Sequence, residues 1–169
     1  MKYVAALVLI AVCMPIRAQL PVTAAADQAA LLQDRDPKLA TNKQLVFDFW
    51  RTVLDAGHPE QADRFLDENY IQHNPEIPTG RAAIMKLLSH ATPKPVQPTI
   101  PGLVTIVADR DVVILAFVDE QKDPRKAGST YTTTRFDMFR VHNGKIAEHW
   151  DNMRVGALPP GGAAPPPPR

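Results

Sequence analysis

Apolar residues recur at helical spacing early in this chain and in alternating or β-branched runs late in it. Val46, Phe49, Trp50 and Val53 mark one face of a helix, with Leu45 and Leu54 widening the stripe. Thr41-Asn42-Lys43-Gln44 fits a capping box at its start, and Gly57 suits its end. Phe49 and Trp50 therefore read first as core. His58-Pro59-Glu60 opens a second helix with proline in the first turn, and Ala62, Phe65 and Leu66 supply its buried side. Asp67-Glu68-Asn69 breaks it. In Tyr70-Ile71-Gln72-His73-Asn74-Pro75 the proline pushes Asn74 into an extended conformation, which predicts a short strand or arm. Ile71 is expected to point inward, and alternation turns His73 inward with it, to meet a backbone carbonyl or a functional partner. Residues 81–90 read as a third helix with Ile84, Leu87 and Leu88 inward, and Pro93, Pro95, Pro98 and Pro101 mark an irregular crossing. The period then changes. Residues 103–107, 112–118 and 129–141 read as strands, with a solvent loop over 119–128.

The strongest local signal lies at the end of this series, where Asn143-Gly144 separates two β-prone runs and predicts a hairpin. Two registers compete. A two-residue loop pairs His142 with Lys145 and sets Asp137 opposite Trp150, with His149 and Asp151 on the other face. A three-residue loop with Gly144 as a bulge residue pairs Val141 with Lys145, setting Asp137 opposite His149 and Arg135 opposite Asp151. The second is preferred because it gathers the ionisable groups on one face with Phe139 and Ala147, where they can satisfy each other. Phe136, Met138 and Trp150 then fall on the outer face, which makes a homodimer the expected way to cover them.

Composition adjusts the ends of this picture. The chain has 169 residues, enough for one domain. Residues 1–18, with Lys2 before an apolar run and a small residue at Ala18, read as a secretory signal peptide, too short to span a bilayer. Export to the periplasm or medium is the expectation, with lipoprotein processing at Cys13 as the alternative. Cleavage near Ala18 removes the one cysteine, and with it any disulfide or thiol nucleophile. Loss of Lys2 and Arg17 takes the formal charge from +1 to −1, which argues against nucleic acid as a partner. Residues 19–40 form a polar, alanine-rich lead-in in which 24–33 suit a short helix; 41–155 form the domain, and 156–169 a disordered, proline-rich tail.

Helices followed by consecutive strands argue for an α+β domain rather than a doubly wound one. Tyr70 to Pro75, then Gly80-Arg81 opening a helix, then Phe136 to Val141 with Asn143-Gly144-Lys145-Ile146 and Glu148-His149-Trp150-Asp151, resembles the SnoaL-like polyketide cyclase group of the nuclear transport factor 2-like superfamily. The resemblance implies a cone-shaped barrel, three N-terminal helices packed on a curved antiparallel sheet around a small-molecule pocket, and frequent dimerisation through the outer face. Characterised cyclases of the group close a ring by intramolecular aldol condensation, with an aspartate as acid and base and neither metal nor cofactor. Carried over by position, Asp137 matches the pocket aspartate, His73 the arm histidine, and His149 and Asp151 the terminal His-Trp-Asp. Where relatives often carry a histidine in the strand 112–118, Ala116 stands here, which implies a more apolar pocket.

The expected chemistry follows. An aspartate in an apolar cone has its charged form disfavoured, which suits it to remove a proton α to a carbonyl, while His73 or His149 polarises that carbonyl or returns the proton. Tyr70, Trp50, Phe117, Phe139, Asp151 and Arg135 are the expected substrate-binding residues around a small apolar or carbonyl-containing molecule. The alternative is a non-catalytic binding or dimerisation module in which Asp137–His149 and Arg135–Asp151 merely hold the hairpin. Two histidines and a carboxylate also suit zinc or iron, but their spacing is not diagnostic and no metal is assigned. A serine nucleophile finds no Gly-x-Ser-x-Gly elbow.

Overall fold

In a computed structural model, residues 19–156 can be described; the expected signal peptide and nearly all of the expected tail lie outside them. The chain is an α+β domain with helices packed on one face of a curved five-stranded sheet.

Helix α1 (Gln28–Leu31) is a single turn capped by Asp27, and the buried Gln28 amide bonds both ways to the backbone of Ile100. Helix α2 (Pro37–Phe49) begins four residues before the expected capping box. Asp36 caps it and Pro37 fits its first turn, while the Thr41 hydroxyl bonds back to the Pro37 carbonyl at 2.8 Å. The helix then widens into a π turn, Trp50–Asp55, in which the Ala56 N–H reaches the Arg51 carbonyl five residues back. Gly57, at φ 69°, lets the chain turn out of it. The second expected helix is a 3₁₀ turn, Pro59–Arg64. Leu66, read above as helical, already belongs to strand β1 (Leu66–Gln72), and α3 (Arg81–Leu87) follows.

Strands β2 (Leu103–Asp109), β3 (Val112–Lys122), β4 (Thr130–His142) and β5 (Lys145–Asp151) form an antiparallel meander. Strand β1 completes the sheet beside β5 in parallel, so the sheet is mixed, in the order β1-β5-β4-β3-β2. Val46, Phe49 and Val53 from the helix layer meet Val113, Leu115, Phe139 and Ile146 from the inner face in one core. Burying such side chains contributes about 1.5–3 kcal/mol each.

The hairpin differs from both expected registers. Asn143 and Gly144 have φ of 49° and 71°, a two-residue turn with His142 opposite Lys145. One residue later the pairing shifts: Val141 faces Ile146, Arg140 faces Glu148, and Ala147 is left over as a bulge. Asp137 therefore lies opposite Asp151 and Phe139 opposite His149.

Candidate functional site

Between the helices and the inner face lies a cavity of about 320 Å³. Strand alternation supplies its polar wall. Arg135, Asp137 and Phe139 project from β4, His149 and Asp151 from β5, and Tyr70 and Gln72 from β1, with Asn74 just beyond. Without the shift at Ala147 the hairpin would set Asp137 against Trp150, and His149 and Asp151 would face away. Trp50, Leu54 and Asp55 come from the π turn, and Ile77, Ile84 and Leu87 close the opposite side.

Asp137 and His149 are buried, and His149 Nε2 lies 3.2 Å from Asp137 Oδ1. The Arg135 guanidinium pairs with the other Asp137 oxygen instead of with Asp151. It also lies 4.4 Å over the Phe117 ring and 5.4 Å over Trp50. Asp137 is thus ion-paired, not isolated among apolar groups as the sequence suggested. Asp151 accepts from the Asn74 amide at 2.6 Å and from the Met153 backbone at 3.0 Å. His149 Nδ1 lies 2.8 Å from Gln72 Oε1, and Gln72 Nε2 donates to the Tyr70 hydroxyl at 3.2 Å. Burial and the nearby carboxylates of Asp151 and Asp137 push the Tyr70 hydroxyl far up, so it stays protonated. At the rim, desolvation raises the Asp55 carboxyl above its ordinary value against the pull of the Trp50 indole.

Several expectations need correction. His73 points outward: it is exposed, stacks on Trp150 at 4.9 Å, and bonds Glu148 at 2.8 Å, so it cannot reach the cavity. The inward residues of the arm are Tyr70, Gln72 and Asn74, while Ile71 is 46% exposed. Phe117 is buried beneath Trp50 and Arg135 and does not line the cavity. Ala116 pairs with Phe136 on the outer side of β3, so a histidine there would not enter the cavity. Trp50, Tyr70, Arg135, Phe139 and Asp151 do line it. Gln72, Asn74 and Asp55 were missed; the alternating polar residues of the arm carried the signal for the first two.

Donor atoms of Asp137, His149 and Asp151 lie within 4.8 Å of one another, close enough to share a cation. Arg135 already places a positive charge on one Asp137 oxygen, which disfavours a second one there.

A profile of the SnoaL-like domain matches residues 46–149, more than half the chain. The protein belongs to the SnoaL-like domain family. Among solved structures it is similar to a protein assigned as a polyketide cyclase from Acidithiobacillus ferrooxidans, with 19% identity over 66% of this chain and 86% of that one and a TM-score of 0.47. An epoxide hydrolase of M. tuberculosis shows 17% identity over 68% and 84%, with a TM-score of 0.47. A protein assigned as a ketosteroid isomerase from Kribbella flavida shows 17% over 68% and 78%, with a TM-score of 0.46. No functionally curated protein matches the chain. The cavity has the volume to take a small molecule, and fold membership alone assigns no reaction. Among the described residues no helix is long and apolar enough to cross a membrane.

Proposed function

We propose that this is an exported, metal-independent lyase or isomerase that acts on a small carbonyl compound, with Asp137 as general acid and base. The observation that carries the reading is the buried Asp137–His149 pair set in the polar wall of a cavity whose other walls are aromatic and aliphatic. Asp137 takes the proton from the carbon α to the carbonyl, and the C–H electron pair moves into an enolate. The Tyr70 hydroxyl donates to the carbonyl oxygen on which charge develops, the part expected from the sequence of His73 or His149. Asp137 returns the proton to a neighbouring carbon in an isomerisation. In an aldol closure the enolate attacks a second carbonyl carbon, and the proton goes to the new alkoxide. Phe139, Trp50 and the aliphatic side chains hold the carbon skeleton.

One observation favours a non-catalytic binding module instead: among the described residues every buried polar side chain is already partnered, and Arg135 neutralises Asp137. Asp137→Asn separates the two. Small ketones found in the purified protein by native mass spectrometry are incubated in D2O, and α-hydrogen exchange is followed by NMR. The enzyme reading expects exchange to fall by about 10²–10⁴-fold with binding retained; exchange unchanged by the substitution sinks it.

The outer sheet face supports a homodimer in this reading, since Phe136 is 51% exposed and Val107 and Ile71 nearly as much. Phe136→Asp is expected to give a monomer by analytical ultracentrifugation.

A further inference from the structure

We infer that Gln72 is a positioning residue that sets the proton arrangement of Tyr70, His149 and Asp137 in the polar wall. The Asn74 backbone N–H, which can only donate, lies 2.9 Å from Gln72 Oε1. That contact fixes which end of the Gln72 amide is oxygen. The same oxygen faces His149 Nδ1 at 2.8 Å, and an amide oxygen can only accept, so Nδ1 carries a proton. His149 Nε2 then lies 3.2 Å from Asp137 Oδ1. Were Nε2 and the carboxylate both bare, two lone pairs would face each other in a buried site; the contact therefore holds one proton, shared between Nε2 and Oδ1. The other end of the Gln72 amide acts on Tyr70. Its Nε2–H donates to the phenol oxygen, so the phenol's own proton is left to point elsewhere, and Tyr70 lines the cavity.

One side chain with no acid–base chemistry of its own thus gives His149 a single tautomer, places a proton between His149 and Asp137, and leaves the Tyr70 hydroxyl as a donor. Gln72 is itself buried and held by strand β1, and its own N–H bonds the Thr79 hydroxyl at 3.2 Å. The proton assignment rests on hydrogen-bond geometry alone; its consequence for turnover rests on the enolisation reading above.

Two-bond ¹H–¹⁵N correlation spectra of histidine-labelled protein test it without any substrate. In the native protein His149 is expected to show a protonated Nδ1. A bare Nδ1 overturns the inference, and this measurement needs no variant. Gln72→Met, close in shape but without the acceptor, is expected to give His149 mixed tautomers while circular dichroism stays native. Gln72→Glu, which keeps the acceptor, is expected to restore the Nδ1 proton. A folded Gln72→Met protein with the native His149 pattern would also overturn it. Failure of the Asp137→Asn exchange assay would remove the catalytic reading and leave the tautomer result standing.

Discussion

The two faces of the terminal hairpin carry nearly the same chemical inventory. Inward lie an imidazole, two carboxylates, a guanidinium and an aromatic ring: His149, Asp137, Asp151, Arg135 and Phe139. Outward the hairpin contributes Glu148, Arg140 and Trp150, and His73 from the arm beyond β1 and Asp111 from the β2–β3 turn join them, equally well connected. Both sets contain a histidine–carboxylate contact and a guanidinium over aromatic rings. Only the inner set borders a cavity, and its Asp137 and His149 are buried. Residue types at strand spacing therefore do not make a site; burial and an adjoining space do.

That contrast can be broken most severely by charge removal. Arg135→Met strands Asp137 without its counter-charge in the interior and is expected to destabilise the fold by about 3–5 kcal/mol in urea titration. On the outer face Glu148→Gln is expected to lose less than about 1 kcal/mol, because water and salt screen its partners. Equal losses would mean that the two faces are not electrically different.

Acid should sharpen the same contrast. The bond from Arg140 holds the Asp111 carboxyl below its ordinary value; for Glu148 desolvation opposes, but His73 and Arg140 together prevail. Both groups contribute stability that is present above the ordinary carboxylate range and is lost as pH falls through their lowered values. Thermal melts are expected to drop in that window, less steeply in Glu148→Gln. Asp55 has the opposite sign, since a raised carboxyl penalises the fold while ionised and is relieved as pH falls through its raised value. Asp55→Asn is expected to raise the melting temperature slightly at neutral pH and to leave it unchanged in acid. The smallest effect is expected from metal: chelation followed by dialysis should leave α-hydrogen exchange unaltered, and restored or enhanced exchange on adding zinc would overturn the metal-independent reading.

Much of the fold could be read from periodicity. The hairpin turn was legible because Asn143-Gly144 accepts positive φ at both positions. Its register was not, since nothing marks Ala147 as unpaired; the expected three-residue loop placed the surplus residue in the turn instead. Both arrangements shift the strand by one, so the grouping of Asp137, Arg135, His149 and Asp151 on one face came out the same with different partners opposite. The arm was misread for another reason. Ile71 reads as an inward marker, but apolar side chains stand on both faces of this sheet, with Phe136, Met138 and Trp150 outside. Hydrophobicity then says little about direction, and the two polar amides, Gln72 and Asn74, turn inward because partners wait for them there.

The surplus residue has one more implication, for chain length. A deletion past Glu148 would turn the side chains that follow it to the wrong side. Removing Ala147 would instead join Ile146 directly to Glu148, and the pairs Val141–Ile146 and Arg140–Glu148 could persist with no face exchanged. Facing is therefore not what keeps this alanine in the strand. A flush ladder of the same facing would lack the added bend and twist of a bulge, and a flatter sheet would open the cavity. Ala147 thus bears on the bend of the sheet rather than on which side chains face the cavity.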